Sequence, residues 1–203
     1  MANFTREAIL AAFLKIAEKK PLEKISVRDI VDECGINRNT FYYHFQDIYA
    51  VLEEVLVNQI LITESDGNSP HYLVDVTNQT IIQMLQHKPA IQNIYRSVGP
   101  DMVDRYMKGN LTKISAHYVN SKLDGRKMNP WDKNMLISFY RNIIGGAMKD
   151  WLEGGMKENP SYIVQHISRL MTGMAELGIR NSLEMSKEKE QKNQSAENSA
   201  DSE

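Results

Sequence analysis

The residues of this chain best suited to chemistry lie together from Arg38 to Phe45, and what they offer is contact rather than catalysis. A helical period places Phe41 and Phe45 four residues apart on one face, where they can be buried together. Arg38 with Tyr42, Asn39 with Tyr43 and Thr40 with His44 then share the remaining arc. A guanidinium can bridge two acceptors on guanine, a carboxamide can pair with adenine, and a threonine methyl can meet the methyl of thymine. Tyrosine hydroxyls and an imidazole suit phosphate oxygens, which set register rather than sequence preference. The plainer alternative packs Tyr42, Tyr43 and His44 between helices, but three consecutive residues cannot all share one helical face. The spacing therefore assigns base contacts to Arg38 and Asn39, at the helix N-terminus, and backbone contacts to the aromatic residues that follow.

Such a segment needs a scaffold, and the flanking sequence supplies one. Phe4 to Lys19 carries an apolar stripe of Ile9, Phe13, Ile16 and Ala17, and Lys20-Pro21 ends it, because proline disfavours helical geometry in the residue before it. Ser26 can cap a short helix over Val27 to Cys34, with Asp29 three residues on, and Gly35 can make the left-handed exit. Asn37 can cap the next helix, Arg38 to Phe45, and Asp47 a fourth that runs through Val51, Leu52 and Val55 toward Ile62. Two short helices joined by a glycine-containing turn have the form of a helix-turn-helix, whose second helix enters the major groove.

Three stretches, Ile25-Ser-Val-Arg-Asp-Ile-Val31, Cys34-Gly-Ile-Asn37 and Thr40-Phe-Tyr-Tyr-His-Phe45, resemble the DNA-binding module of the TetR/AcrR (tetracycline-repressor) family. The resemblance covers roughly the first quarter of the chain. It implies that Tyr42, Tyr43 and His44 approach the duplex, that Ser26 and Arg28 contact phosphate, and that the remaining chain is a helical ligand and dimerisation domain. Arg141-Asn-Ile-Ile-Gly-Gly146 and Asp150-Trp-Leu-Glu-Gly-Gly155 further resemble the branch of that family that activates dihydroxyacetone-kinase operons and answers to a partner protein. One departure is Gln46-Asp-Ile-Tyr49, where many members carry lysines.

Composition limits how much charge can assist. Among 203 residues, 24 are basic and 26 acidic, giving a net charge of −2. Through position 47 the bases Arg6, Lys15, Lys19, Lys20, Lys24, Arg28 and Arg38 are matched by Glu7, Glu18, Glu23, Asp29, Asp32, Glu33 and Asp47. Few net cations are left for phosphates, so a shallow salt dependence is expected. Cys34 is the only cysteine, so no intrachain disulfide can form. With no export signal or membrane anchor read in the sequence, a cytoplasmic location is expected.

The rest of the chain reads as helices: His71 to His87, Pro89 to Ser97, Asp101 to Lys122, Trp131 to Glu153 and Ser161 to Gly178, after a loop at Asp66 to Pro70. The expected fold is all-α, with a helix-turn-helix head over residues 1–47, a helical regulatory and dimerisation domain over 48–183, and a polar tail over 184–203 that is disordered unless helix nine extends into it. Trp131, Leu136, Phe139, Tyr140, Ile143, Ile144, Ala147, Met148 and Trp151 cover much of one helix, while Ile163, Ile167, Leu170, Met171, Met174 and Leu177 stripe the next. That surface, with the resemblance, implies a homodimer through the last two helices, with Gly145, Gly146, Ala147 and Gly173 allowing close crossings, and a palindromic double-stranded DNA operator. An effector cavity among helices five to eight is implied too, with Met84, Tyr95, Met102, Tyr106, His117, Tyr118, Phe139 and Arg141 as its lining.

Nothing in the sequence suggests an enzyme. His71, His87, His117 and His166 are dispersed, and there is no nucleophile elbow, phosphate-cradling loop or cysteine-histidine pair, so no catalytic residue, metal or cofactor is expected. The expected function is a DNA-binding transcriptional regulator, a repressor by resemblance, whose operator binding is controlled by a small-molecule or protein effector. The alternatives are a protein-interaction module and a coactivator-dependent regulator with no small-molecule ligand.

Overall fold

The computed structural model describes residues 2–59 and 72–200. Over these, helices follow one another as α1 (Ala2–Ala17), a 3-10 turn (Leu22–Lys24), α2 (Val27–Cys34), α3 (Arg38–His44) and α4 (Ile48–Glu54), which continues as a π turn (Val55–Gln59). Then come α5 (Tyr72–Gln86), α6 (Lys88–Val98), α7 (Pro100–Leu123), α8 (Pro130–Glu153), α9 (Pro160–Leu170) and α10 (Met174–Ala200). The fold is all-α, with no strand among the described residues.

Short-range chemistry sets the first boundaries. Ser26 accepts from the Asp29 amide while the Asp29 carboxylate accepts from the Ser26 amide, which closes a capping box at the start of α2. Gly35 ends that helix at φ +68°, a left-handed geometry that glycine adopts without a Cβ clash. Asn37 and Asp47 cap α3 and α4 by accepting from the Thr40 and Ala50 amides, each at 2.8 Å.

Ile9, Phe13, Ile30, Phe41, Val51 and Leu52 are fully buried and form the centre of the head. The same apolar cluster continues through Met84, Ile91, Ile94 and Leu111 to Trp151, so the core is continuous across position 47. A second cluster joins α7, α8 and α10 through Val119, Leu123, Ile137, Tyr140, Ala175 and Ile179.

Helix α6 ties the two ends of the molecule together. Its Lys88 and Gln92 side chains donate to the carbonyls of Met156 and Gly155, each at 2.7 Å, just past the end of α8, and the Tyr95 hydroxyl donates to Glu153 at 3.2 Å. Toward the head, Asn93 donates to the Ala17 carbonyl at 2.9 Å and Ser97 accepts from the Leu22 amide at 3.1 Å. The Asp150–Gly155 motif thus forms the exit of α8, where it is held by α6.

Three expectations are corrected. Ser161 to Gly178 is not one helix: α9 stops at Leu170 and α10 starts at Met174, with Gly173 at φ +82° between them. Gly173 is therefore a helix break rather than a crossing point. Gly145 does sit at a crossing, since a Cβ there would lie 3.3 Å from Leu111 Cδ1, whereas Gly146 faces open space. The residues after Leu183, expected to be disordered unless the last helix extended into them, continue α10 to Ala200. This stretch is rich in Glu, Lys and Gln, which have good helix propensity, and extending an already nucleated helix costs little even without burial. The expected end of helix four at Ile62, the loop at Asp66 to Pro70 and His71 lie outside the described residues.

Candidate nucleic-acid interface

Helix α3 is held from below and open above. Phe41 is fully buried and Phe45 nearly so, their ring centroids 6.1 Å apart. Arg6 of α1 secures the end of the helix: its guanidinium stacks 4.7 Å from the Phe45 ring centroid, donates to the His44 carbonyl at 3.4 Å and forms a two-point pair with Glu54 of α4. One arginine therefore fixes α3 against both neighbours, a link across 48 residues that no local spacing signals.

The opposite arc faces solvent. Tyr42 is 56% and Tyr43 79% exposed, large values for aromatic side chains, and Arg38 and Asn39 are exposed beside them. Tyr43 rests edge-on against the half-buried His44, with centroids 5.1 Å apart, which limits the rotamers of both. Thr40 is half-buried and its hydroxyl is committed to Asn37 at 3.0 Å.

At the start of α2, Arg28 is exposed in a loose pair with Asp32 at 3.5 Å. Ser26 is exposed, but its hydroxyl donates to Asp29 at 2.7 Å, so its proton already has an acceptor. Lys20 pairs with the same carboxylate at 2.7 Å, and these contacts pull Asp29 down to about 2. Lys15 pairs with Glu33. Four of the seven bases of the head are thus engaged within the chain, while Lys19, Lys24 and Arg38 carry no such pair among the described residues.

Tyr49, in the first turn of α4, is also 56% exposed and was missed as a candidate contact. Its position two residues past a cap that closely follows α3 was the available signal.

The expected effector lining does not come together. A cleft of about 590 Å³ does exist, but it is walled by α5, α7, α8, α9 and α10, and of the eight residues named only Tyr118 reaches it. Met84 and Tyr95 line a separate void of about 20 Å³, too small for a metabolite. Tyr106 stands near Asp47, Tyr49 and Glu53 of α4. His117 and Phe139 are exposed, and Met102 and Arg141 are half-buried away from the cleft. Methionines and aromatics at helical spacing serve core and surface as readily as a cavity.

Among the described residues no group of three or more His, Cys, Asp or Glu could hold a metal ion, and no helix is long and apolar enough to cross a membrane.

Comparison with known proteins agrees with this geometry. The family model described as "Bacterial regulatory proteins, tetR family" matches residues 9–55, and one described as "Transcriptional regulator C-terminal region" matches residues 73–173. No curated protein matches in sequence. A solved structure titled "Dihydroxyacetone kinase operon activator DhaS" superposes with a TM-score of 0.70 at 15% identity, covering 85% of this chain and 97% of that one. At that identity the likeness speaks for the fold. A helix-turn-helix with an exposed aromatic and polar face, matched together with the helical body behind it, places the chain in the TetR family, as a DNA-binding transcriptional regulator.

Proposed function

We propose that the chain acts as a homodimeric, effector-controlled repressor that reads a palindromic operator in the cytoplasm. The observation that carries this reading is the two-sided surface of α3, with Phe41 and Phe45 inside while Arg38, Asn39, Tyr42 and Tyr43 project outward. With α3 in the major groove, Arg38 and Asn39 read base edges and Thr40 offers a methyl. Tyr42, Tyr43, His44 and Arg28 hold phosphates, and Ser26 contributes only by giving up its bond to Asp29.

Exposed apolar residues support a dimer through α8 and α10. Trp131, Met135 and Phe139 recur every four residues on α8, and Met174, Leu177 and Met185 are exposed on α10. The two helices lie close, because Gly178 leaves only 3.4 Å between its Cβ position and Leu136, and the Ser182 hydroxyl donates to Asp132. A joined apolar strip of this kind is costly to leave in water. Two copies pairing here would present two α3 helices to successive half-sites.

Control runs through α6, which is bonded at one side to the exit of α8 and at the other to α1 and the 3-10 turn. An effector acts by binding unequally to dimer shapes that differ in head position.

Selection from random DNA duplexes tests the reading. A palindromic motif with two half-sites is expected, and absence of enrichment at low salt would leave an interaction module instead. The solved neighbour is titled an activator, so a reporter driven by the selected operator decides the sign: deletion of the regulator raises output if it represses.

A further inference from the structure

We infer that the cleft between α5, α7, α8, α9 and α10 is the effector site, and that it takes an elongated amphipathic carboxylate with its acid group at the Tyr140 end and its apolar body toward Trp151. This deepens the effector-controlled reading above and rests on it.

The cleft, about 590 Å³, is within the usual range for small-molecule sites. It is long rather than round: Tyr140 and Trp151 both line it and stand eleven residues apart on α8, about 16 Å at 1.5 Å per residue. Ile143, Ile144 and Ala147 line it between them, and Ile163 and Ile167 of α9 line it as well, so the body of the site is apolar.

The two ends differ. Near Trp151 the lining includes Met148, three residues earlier on α8, and the indole nitrogen already donates to the Glu158 carbonyl at 3.1 Å. At the other end Tyr140 is 2% exposed, and its hydroxyl has the Tyr118 hydroxyl and the Ala175 backbone beside it but no hydrogen bond of good geometry. The Tyr118 side chain stands beside it, with ring centroids 4.9 Å apart. Burial pushes both phenols above their ordinary range, so they remain protonated and able to donate. A buried hydroxyl bonded this poorly would gain from a ligand oxygen placed in line with its O–H.

The charge at this end is positive. The Lys122 ammonium lies 5.4 Å from the Tyr118 ring centroid and has no ion pair among the described residues. Glu176, the carboxylate on the lining, is held in a two-point pair by Arg126 at 2.6 and 2.8 Å. Arg169 also lines the cleft, and Arg180 lies near Glu176 while Asp124 lies near Arg126. Of the charged residues that line the cleft, Lys122 and Arg169 are cations and Glu176 is already paired with Arg126, which favours an anionic head over a cationic one. Trp151 links the site to control, since it lies in the last turn of α8, whose exit is bonded to α6.

The test uses the full-length Trp131→Phe protein, which leaves Trp151 as its sole tryptophan, titrated with submicellar laurate, lauryl alcohol and laurylamine. Laurate should shift the Trp151 emission saturably, with the amine at least tenfold weaker. Lys122→Ala should weaken laurate by about tenfold, the effect of losing a hydrogen bond to a charged group, and leave the alcohol unchanged, whereas Tyr140→Phe, which removes a donor either head can use, should weaken laurate by about tenfold and the alcohol by less. Tyr140→Phe removes one oxygen and keeps the packing, so it stays informative if Lys122→Ala disturbs the fold. No saturable shift, equal binding of amine and acid, or unchanged laurate affinity in both variants would overturn the inference. Operator affinity of the unsubstituted protein, measured with and without laurate, separates the two claims: saturable laurate binding with unaltered DNA affinity upholds the site and overturns effector control through it.

Discussion

The salt dependence of operator binding follows directly from the pairing of charges in the head. Arg6, Lys15 and Lys20 are held by Glu54, Glu33 and Asp29, which leaves Arg38, and Arg28 in its loose pair with Asp32, as the cations on the two helices proposed to meet DNA. Two per head give about four per dimer, and at −0.9 per phosphate the slope of log affinity against log salt is about −3.6. Adding Lys24, which lies just before α2, brings it to about −5.4. Raising monovalent salt from about 50 to about 200 mM should therefore cost about 150-fold at the lower slope. Tyrosine and amide contacts add affinity without adding to the slope. Fluorescence anisotropy with the selected operator across that salt range gives the value. A slope steeper than about −8, equivalent to a loss beyond about 6 × 10⁴-fold, would show that the internal ion pairs open on DNA and would refute the reasoning. Gln46→Lys, at an exposed position after α3, is the matched gain: one cation per head should steepen the slope by about 1.8.

Four further outcomes are expected. Phe41→Ala empties a fully buried site and should lower stability by about 3–5 kcal/mol, read from urea denaturation, with operator binding lost alongside. Gly35→Ala forces a Cβ into φ +68° and should cost about 1–2 kcal/mol in the same assay. The Asp29 carboxyl is lowered from 3.8 to about 2 on folding, chiefly by Lys20 and then by Ser26, so its contribution is present above pH 3.8 and lost as pH falls toward 2. Asp29→Asn should flatten that part of the acid melting profile, and an unchanged profile would show that the pair does not persist in solution. Phe139→Glu or Leu177→Glu should give monomers by light scattering, whereas Ile82→Glu on the exposed side of α5 should leave the dimer intact.

What the sequence by itself determined was local. The caps of α2, α3 and α4 depend on side chains that reach backbone amides three residues away, and the split of α3 into a buried phenylalanine face and an exposed aromatic and polar face depends on a period of 3.6 residues. Tertiary structure alone decided the rest. Arg6 on Glu54 and Asn93 on the Ala17 carbonyl join residues 48 and 76 positions apart, and helical periodicity gives the polar face of each helix without naming its partner. The cleft is the clearest case. Ile143, Ile144, Ile163 and Ile167 have the spacing of ordinary core residues, and whether such residues meet one another or enclose a space depends on how far apart α5, α8 and α9 are held. That separation is set by helix crossings and by the break at Gly173, each a sum of many distant contacts, so one-dimensional spacing carries no record of it.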